Sequence, residues 1–327
     1  EDSRVVAHVA RGEERDIAAA VGVAQAALPT WAAKTPAERE ALFFKAADLL
    51  DAAVETMMHW LIHEGGSCIA KARFEARYTS SLLRAAGGEC RRLYGDTFPG
   101  DRNERLSIVV REPLGVIGAI SPFNAPLILL VKMIAFPIAG GNTVVAKPSE
   151  ETPMVALELA RIFHAAGFPP GVFNVVTGLG REAGEALVND PRVAGITFTG
   201  STQVGRKIAA AASGRMARVH MELGGKNPVV VLRDADVDEA AATIALGAFT
   251  HGGQICMSSS RIIAEKEIAR PLAEALARCG DAAAADPNPH PTPPRERFVL
   301  ARQRCPSAPP DLSRERGLSA APLEGRL

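Results

Sequence analysis

Short runs of β-branched and other apolar residues alternate with longer helical stretches after Gly115, and no other feature constrains the fold as much. The short runs lack polar alternation, as expected of strands buried on both faces of a parallel sheet. The helical stretches provide the crossover connections that parallel strands need. The sequence therefore predicts an α/β fold with a doubly wound parallel sheet. The predicted strands are residues 116–120, 143–146, 172–176, 196–199 and 229–232, and the intervening helices are residues 154–166, 182–188 and 202–212.

The region before this alternation is predicted to be mostly helical. Residues 17–93 repeat apolar side chains at spacings of three and four. Residues 26–37, which contain Pro29 and Pro36, are predicted to break this helical region. Residues 105–111 alternate imperfectly between charged flanks, which predicts a protruding strand within residues 97–112.

A helix and a tail follow the last predicted strand. Asp236 and Glu239 form a capping-box pattern that predicts a helix to about Thr250, so that Cys256 lies just beyond its end.

Residues 279–327 contain nine Pro and seven Arg but no Lys. Two interpretations of this tail stay open. It is a disordered linker, or it results from a shifted reading frame in a GC-rich gene, and the break within an unfinished helical run favours the second.

Bulk composition selects no class of macromolecular partner. The 37 Lys and Arg balance the 37 Asp and Glu, so no global field favours nucleic acid or an anionic membrane. The longest apolar stretch, residues 127–139, contains Lys132 and Pro137 and is too short to cross a bilayer. Five cysteines without a C-x-x-C pair suggest neither a zinc site nor a disulfide framework. We therefore expect a cytoplasmic protein that binds a small molecule, without metal, nucleic acid or membrane.

Two side chains are candidates for catalysis. Cys256 follows Gly252 and Gly253, and a glycine-rich turn after a helix supplies the access that a nucleophilic thiolate needs. A lone cysteine is more often a small buried hydrophobe, and that alternative stays open on this segment alone. Glu222 lies at a strand end beside two glycines, where a carboxylate can act on water as a base. The alternative for Glu222 is a buried partner for a nearby cation.

Two further segments suit an anionic or hydroxylated ligand. Residues 200–205 follow a strand and open a helix, where backbone amides and the helix dipole can hold a phosphate. Arg206 and Lys207 occupy the Lys and Ser/Thr positions of a P-loop, which excludes a nucleoside triphosphatase. Lys147 and Glu150 follow a strand at the edge where doubly wound sheets bind ligands, although a surface salt bridge is the alternative.

Five motifs, in their order and spacing, resemble the aldehyde dehydrogenase superfamily. The resemblance implies a Rossmann-like NAD-binding domain at residues 1–223, an incomplete second α/β catalytic domain at residues 224–278, and the tail at residues 279–327. It also implies assembly as a homo-oligomer. The motifs are Ser121-Pro122-Phe123-Asn124-Ala125-Pro126, Lys147-Pro148-Ser149-Glu150, Phe198-Thr199-Gly200-Ser201-Thr202, Met221-Glu222-Leu223-Gly224-Gly225-Lys226 and Gly253-Gln254-Ile255-Cys256.

The resemblance also implies a role for each matching residue. Cys256 would attack the aldehyde carbonyl to give a thiohemiacetal, while Asn124 and the Cys256 N–H hold the oxyanion. Hydride transfer to NAD would leave a thioester, which water activated by Glu222 would hydrolyse. The Glu150 carboxylate would accept from the ribose 2′-hydroxyl and so favour NAD over NADP. The implied cofactor-binding residues are Ile120, Ser121, Pro122, Phe123, Lys147, Ser149, Glu150, Gly200, Ser201, Gly205, Leu223 and Gly224.

Segments that the family carries after the nucleophile are missing, and the chain starts with Glu1 rather than Met, so we expect a family member truncated at both ends. The predicted function is oxidation of an aldehyde to a carboxylic acid with NAD. The alternative is an inactive remnant that at most binds nucleotide or a partner. Glu222 argues against a phosphorylating acyl-transfer relative. Ile255 and Met257, which flank the nucleophile, are similar to those of benzaldehyde- and vanillin-type members.

Overall fold

The computed structural model describes residues 5–102 and 104–284. The helices are α1 (Glu14–Ala32), α2 (Pro36–Ala52), α3 (Val54–His63), α4 (Ile69–Glu89), α5 (Pro126–Ala139), α6 (Pro153–Ala166), α7 (Glu185–Asn189), α8 (Thr202–Ser213), α9 (Val237–Phe249) and α10 (Lys266–Ala284). The strands are β1 (Asp96–Pro99), β2 (Leu106–Val109), β3 (Val116–Ile120), β4 (Thr143–Lys147), β5 (Phe173–Val175), β6 (Val193–Gly200), β7 (Arg218–Leu223), β8 (Asn227–Val231) and β9 (Ser259–Ala264). A π-helical turn (Gly180–Gly184) precedes α7, and a 3-10 turn (Thr250–Gly253) follows α9.

A five-stranded parallel sheet has the order β5-β4-β3-β6-β7. From β3 the chain runs through α5 to β4 and through α6 to β5, and it then returns to the other side of β3 at β6. The order of the strands therefore reverses between β3 and β6. In doubly wound sheets the crevice outside the carboxyl ends of such strands binds the ligand. The predicted fold class is confirmed.

Apolar side chains cover both faces of this sheet. On one face α2 to α6 enclose the fully buried Phe43 and Leu50, and the indole N–H of Trp31 from α1 donates to the Ile138 carbonyl at 3.0 Å. On the other face Ile17 of α1 packs with Leu187 of α7 and with residues of α8. Strands β3 and β4 are thus buried on both sides, which explains their continuous apolar sequence.

The break predicted over residues 26–37 is present but is limited to residues 33–35, because α1 continues through Pro29 to Ala32. Proline removes one helical hydrogen bond, but the last turn is retained by the fully buried Trp31 and by the Ala33 N–H, which donates to the Pro29 carbonyl at 3.1 Å. The chain turns after Ala33 instead, and Pro36 is the first residue of α2, where its missing N–H costs nothing.

Strands with exposed faces were predicted least well. The segment that we predicted as a single protruding strand forms two antiparallel strands, β1 and β2, in which every residue is exposed. Most of β7 was missed because its side chains are exposed or half-buried, and the same holds for β9. Partial burial removes the continuous apolar signal on which the prediction of strands relied.

A smaller unit follows β7. Strands β8 and β9 pair in parallel, and α9 and α10 pack on them around Ile244 and Leu272. The Asp236 side chain caps α9 by accepting from the Glu239 N–H at 2.9 Å. Helix α10 continues through Cys279 to Ala284, so the segment that we interpreted as a tail begins as helix, because its alanines favour that state. The remainder of the predicted tail, residues 285–327, lies outside the described residues.

Two glutamates from the N-terminal helices cap the helices that follow β3 and β4. Glu75 of α4 accepts from the first-turn N–H groups of Leu127 and Ile128 in α5, at 2.9 and 3.2 Å. Glu64, at the end of α3, accepts from the N–H groups of Met154 and Val155 in α6 at 3.0 and 2.9 Å. A carboxylate there satisfies orphan donors and interacts favourably with the helix dipole. The two caps fix the loops that form the edge of the sheet.

The Glu64 cap predicts a specific pH dependence of stability. Burial raises the pKa of Glu64 from 4.5 to about 7, against the two backbone hydrogen bonds that lower it. Between pH 4.5 and about 7 the Glu64 carboxyl keeps its proton in the folded chain but has lost it in the unfolded chain. The contribution of Glu64 to the free energy of unfolding therefore falls as the pH rises through this range. We predict that Glu64→Gln removes that contribution, about 3 kcal/mol. Urea unfolding followed by circular dichroism across this pH range measures it.

The matched control is Glu55→Gln, which changes an exposed carboxyl on the same helix and should retain the pH slope of the unmodified chain. If Glu64→Gln kept that slope as well, the raised pKa of Glu64 would be refuted.

Candidate active site

Three of the predicted ligand-binding motifs meet at the carboxyl edge of the sheet. Ile120, the last residue of β3, lies opposite Lys147 of β4 on one side and Phe198 of β6 on the other. The next N–H, of Ser121, donates to the Lys147 carbonyl at 3.2 Å and extends the pairing past the end of β3. Segments that are far apart in sequence therefore form one continuous edge.

Lys147 and Glu150 form an ion pair at this edge, with 2.8 Å between Nζ and Oε2. The Lys147 side chain is 3% exposed, whereas that of Glu150 is 45% exposed. A buried ammonium requires an anionic or hydrogen-bonding partner, which explains why the two are held together. The Ser149 hydroxyl accepts from the Glu151 N–H at 3.2 Å and turns the loop. The pair presents an ammonium donor and a carboxylate acceptor, which are suitable for a ribose diol.

The loop after β3 contains an unsatisfied hydroxyl. The Ser121 oxygen is buried and has no hydrogen-bond partner within the part of the chain that the structure describes. An unpaired buried hydroxyl costs free energy that a bound ligand recovers by hydrogen bonding. Pro122 and Phe123 follow and are half-buried. This segment therefore fits a polar ligand at the edge of the sheet, as a nicotinamide cofactor would require.

The start of α8 lies at the same edge. Ser201 is its N-cap, and the serine hydroxyl accepts from the Val204 N–H at 3.3 Å. Gly200 precedes it at the end of β6, where an added Cβ would lie 2.6 Å from the Phe198 ring. The backbone thus turns closely past Phe198 into a helix N-terminus, an arrangement that suits a phosphate.

Gly205 has a packing function in this structure. Its N–H donates within α8 to the Ser201 carbonyl at 2.9 Å, and an added Cβ would lie 2.5 Å from Cδ2 of Leu223. The absence of a side chain therefore lets α8 approach β7 closely. Leu223 is half-buried in this contact, and Gly224 is exposed just beyond the end of β7.

Asn124 connects the sheet edge to the segment that carries Cys256. Its side-chain nitrogen donates to the Gln254 carbonyl at 2.7 Å, and its side-chain oxygen accepts from the Ala125 N–H at 3.1 Å. Both ends of the amide are therefore fixed. An oriented amide N–H two residues from a thiol is a group that can stabilise negative charge on a carbonyl oxygen.

A left-handed turn places the thiol loop, residues 250–258. His251, Gly252 and Gly253 have φ of 53°, 69° and 68°, a run that reverses the chain after α9. Glycine adopts this conformation without strain, which is why two glycines stand here. The turn is closed by the Gln254 N–H, which donates to the His251 carbonyl at 3.1 Å.

Hydrogen bonds also close the loop around Cys256. The buried Ser258 donates its hydroxyl to the Gly253 carbonyl at 3.2 Å and its N–H to the Ile255 carbonyl at 3.0 Å. Cys256 lies inside this closed loop and is exposed. By contrast, Cys90 is buried in the core, and that burial raises the pKa of its thiol. Access to solvent favours Cys256 as a nucleophile.

Asn227 is a site residue that the sequence analysis missed. Its side-chain nitrogen donates to the Cys256 carbonyl at 2.6 Å and to the Ser258 carbonyl at 3.2 Å, so it fixes the thiol loop on β8. A signal was present, because an asparagine that follows a Gly-Gly-Lys segment at the start of a strand offers an amide to a neighbouring loop.

Glu222 lies on the edge strand β7, opposite Thr199 of β6, and its side chain is exposed. Burial against a cation, the alternative that the sequence left open, is therefore excluded. Asn227 follows five residues later and contacts the thiol loop, so the end of β7 leads directly to that loop. Within the described residues, no hydrogen bond or ion pair joins Glu222 to Cys256.

Neither a metal centre nor a membrane-spanning helix is found in the part of the chain that the structure describes. Across residues 5–102 and 104–284, no three His, Cys, Asp or Glu side chains are grouped so that they could hold a metal ion. In the same part of the chain, no helix combines the length and apolar character needed to cross a membrane.

Comparison with known proteins agrees with this geometry. The model of the Aldehyde dehydrogenase family matches residues 1–287. A vanillin dehydrogenase of Corynebacterium glutamicum is 40% identical over 270 residues, which are 82% of this chain and 56% of that protein. An NAD-dependent aldehyde dehydrogenase structure from Sinorhizobium meliloti is 41% identical with a TM-score of 0.81, and the match covers 83% of this chain and 54% of that one.

A structure described as an E. coli NADP-dependent enzyme is also similar, with 33% identity and a TM-score of 0.82 over 84% of this chain and 57% of that one. The chain thus spans little more than half the length of the relatives that it matches. The similarity covers both the parallel sheet and the thiol loop, since the family match extends past Cys256. From the ordered motifs, the doubly wound sheet and these matches together, we conclude that this chain belongs to the aldehyde dehydrogenase family.

Proposed function

We propose that this chain oxidises an aldehyde to a carboxylic acid with NAD, through a thioester on Cys256. The observation that carries the proposal is the hydrogen bond from Asn124 to the Gln254 carbonyl, which holds an amide donor beside the loop of an exposed thiol. A nucleophile and an oxyanion donor fixed by separate elements are the two requirements of acyl chemistry at a carbonyl.

The first step is attack on the aldehyde. As the sulfur of the Cys256 thiolate forms a bond to the carbonyl carbon, the electron pair of the C=O bond moves to oxygen. The Asn124 amide and the Cys256 N–H stabilise that negative charge, and removing one such donor typically costs about 10²–10³ in rate. The Ile255 carbonyl, in the same peptide unit as the Cys256 N–H, accepts from the Ser258 N–H at 3.0 Å, so the closed loop sets the direction of the Cys256 donor.

The second step is oxidation at the same carbon. The nicotinamide supplies the hydride acceptor when NAD is bound. We propose that Lys147, Glu150, Ser121 and Ser201 would hold the cofactor. The proposal is supported by the ion pair, the buried unpaired hydroxyl and the helix N-terminus that these residues offer along one edge. As hydride leaves, the oxyanion collapses to a C=O bond and the thioester remains on Cys256.

The third step is hydrolysis. Glu222 accepts a proton from water, the water oxygen bonds to the thioester carbon, and the C–S bond breaks to give the acid and the thiolate. The exposed position of Glu222 at the end of β7 suits this step, because the water must come from solvent. A phosphorylating enzyme would not need such a base.

The substrate that we propose is an aldehyde with an apolar group. Met257, next to the nucleophile, is 74% exposed, and Ile255 lies on its other side. A similar relative is named vanillin dehydrogenase, which favours an aromatic aldehyde.

We also propose that the chain forms a homo-oligomer. The support for this is that the β1–β2 pair exposes the apolar side chains of Phe98, Leu106 and Ile108.

The first functional prediction concerns the cofactor. We expect NAD to bind more tightly than NADP, because the Glu150 carboxylate repels a 2′-phosphate and accepts from a 2′-hydroxyl. Glu150→Ser should weaken NAD binding and reduce or reverse the preference. Isothermal titration calorimetry with both nucleotides measures the ratio. Glu151→Gln, at the adjacent exposed position, should keep the original ratio, and equal affinity of the unmodified chain for NAD and NADP would refute the role of Glu150.

The second functional prediction separates nucleophile from base. We expect Cys256→Ala to abolish NADH formation, because every step needs the thiol. Glu222→Gln should release about one NADH per site in a burst and then turn over slowly, because only hydrolysis needs the base. Stopped-flow absorbance and the mass of the acylated chain measure both effects.

Cys279→Ala, which alters a half-buried thiol outside the loop, is the control and should behave like the unmodified chain. Absence of NADH from the unmodified chain with a panel of aldehydes would instead favour the inactive remnant that binds nucleotide. Normal turnover by either site variant would withdraw the role assigned to that residue.

A further inference from the structure

We infer that Lys71 and Glu75, one turn apart on α4, are positioning residues that hold Asn124 and the thiol loop in register with each other. They form a nearly buried ion pair, with 2.9 Å between Lys71 Nζ and Glu75 Oε2. The inference rests on the proposed roles of Asn124 and Cys256, but it concerns a cluster outside the site described above.

Glu75 sets the position of Asn124. Helix α5 starts at Pro126, and its N-cap, Ala125, has no side chain that can cap it. The Glu75 Oε1 atom takes over this function by accepting from the N–H groups of Leu127 and Ile128. Asn124 directly precedes this capped turn, so its backbone is fixed by a carboxylate on another helix.

Lys71 in turn holds the carboxylate. Its ammonium donates to the other Glu75 oxygen, Oε2, and to the Ser67 hydroxyl, each at 2.9 Å. Ser67 is buried, and the Glu75 side chain is 1% exposed. A carboxylate buried to this degree is stable only when both oxygens are paired, and here Lys71 pairs one and α5 the other.

The thiol loop also contains a buried histidine, His251, whose pKa the charge of Lys71 helps to lower. This histidine has a positive φ, and its Nε2 is buried without a hydrogen-bond partner among the described residues. Burial first, and the charge of Lys71 second, lower the pKa of His251 to about 3, so the imidazole is neutral in the physiological range. Its carbonyl accepts from the Gln254 N–H, and the Gln254 carbonyl accepts from Asn124.

These contacts connect the ion pair to one hydrogen bond. The connection runs from Lys71 through Glu75 to the start of α5 and to Asn124, which donates to the Gln254 carbonyl of the thiol loop. A change at the ion pair therefore alters the position of the donor in that bond, and with it the loop that carries Cys256.

The test uses the whole chain and needs no turnover. We expect Lys71→Met to change the rate of Cys256 alkylation by iodoacetamide at least three-fold, with the modified peptide quantified by mass spectrometry. Amide hydrogen exchange should increase at residues 125–130 and 250–258 but not in α10. Lys71→Arg keeps the charge and should restore both values. Lys34→Met breaks an exposed Lys–Glu pair at the same spacing on other elements and should change neither.

A second variant covers the case in which Lys71→Met does not fold. In Lys71→Met/Glu75→Leu no charge is left buried, and the carboxylate that caps α5 is removed. We expect exchange to rise both at residues 125–130 and at residues 250–258, because Asn124 then loses the support of the capped turn. An unchanged alkylation rate and unchanged exchange at residues 250–258 in the foldable variants would overturn the inference. These local changes in variants of a chain whose unmodified form produces no NADH would support the inference and count against the proposed function instead.

Discussion

All five strands of the central sheet run in one direction, and the site depends on this constraint. Parallel strands place their carboxyl ends at a common edge, so that the segments after β3, β4 and β6 meet although they are distant in sequence. The edge alone does not fix side chains. Glu64 and Glu75 cap the helices that follow β4 and β3, and these caps hold the loops between strand and helix in place.

The thiol loop is positioned by a different set of contacts. Asn227 holds it from β8, and Asn124 holds it from the edge of the sheet, so two amides from separate elements fix the backbone around Cys256. Each uses a side-chain N–H and a main-chain carbonyl, a pairing that is short and directional. The left-handed backbone at His251, Gly252 and Gly253 reverses the chain after α9, which brings the thiol loop within reach of these two asparagines.

The sequence predicted best the elements with a regular burial pattern. Strands β3 and β4, which are buried on both faces, and helices α6 and α8, which bury one face, were predicted to within one or two residues. β1, β7 and β9 were missed wholly or in part because partial exposure allows polar residues on both faces. Pro29 misled the prediction, because the tertiary contact of Trp31 outweighs the local preference.

The candidate site was predicted as a set of residues but not as an arrangement. Cys256, Glu222 and Asn124 were found from motifs. Asn227 and Glu75 act on backbone groups, and Lys71 acts on the Glu75 carboxylate, and these long-range partners cannot be read from a sequence motif. We propose that Asn124 and Cys256 form one oxyanion site, and an experiment without cofactor tests this most directly. With a ¹³C-labelled aldehyde, NMR should show a tetrahedral, sulfur-bound carbon on the unmodified chain and at least ten-fold weaker adduct formation for Asn124→Ala. Equal adduct formation by the two chains, or an adduct at another cysteine, would contradict the account.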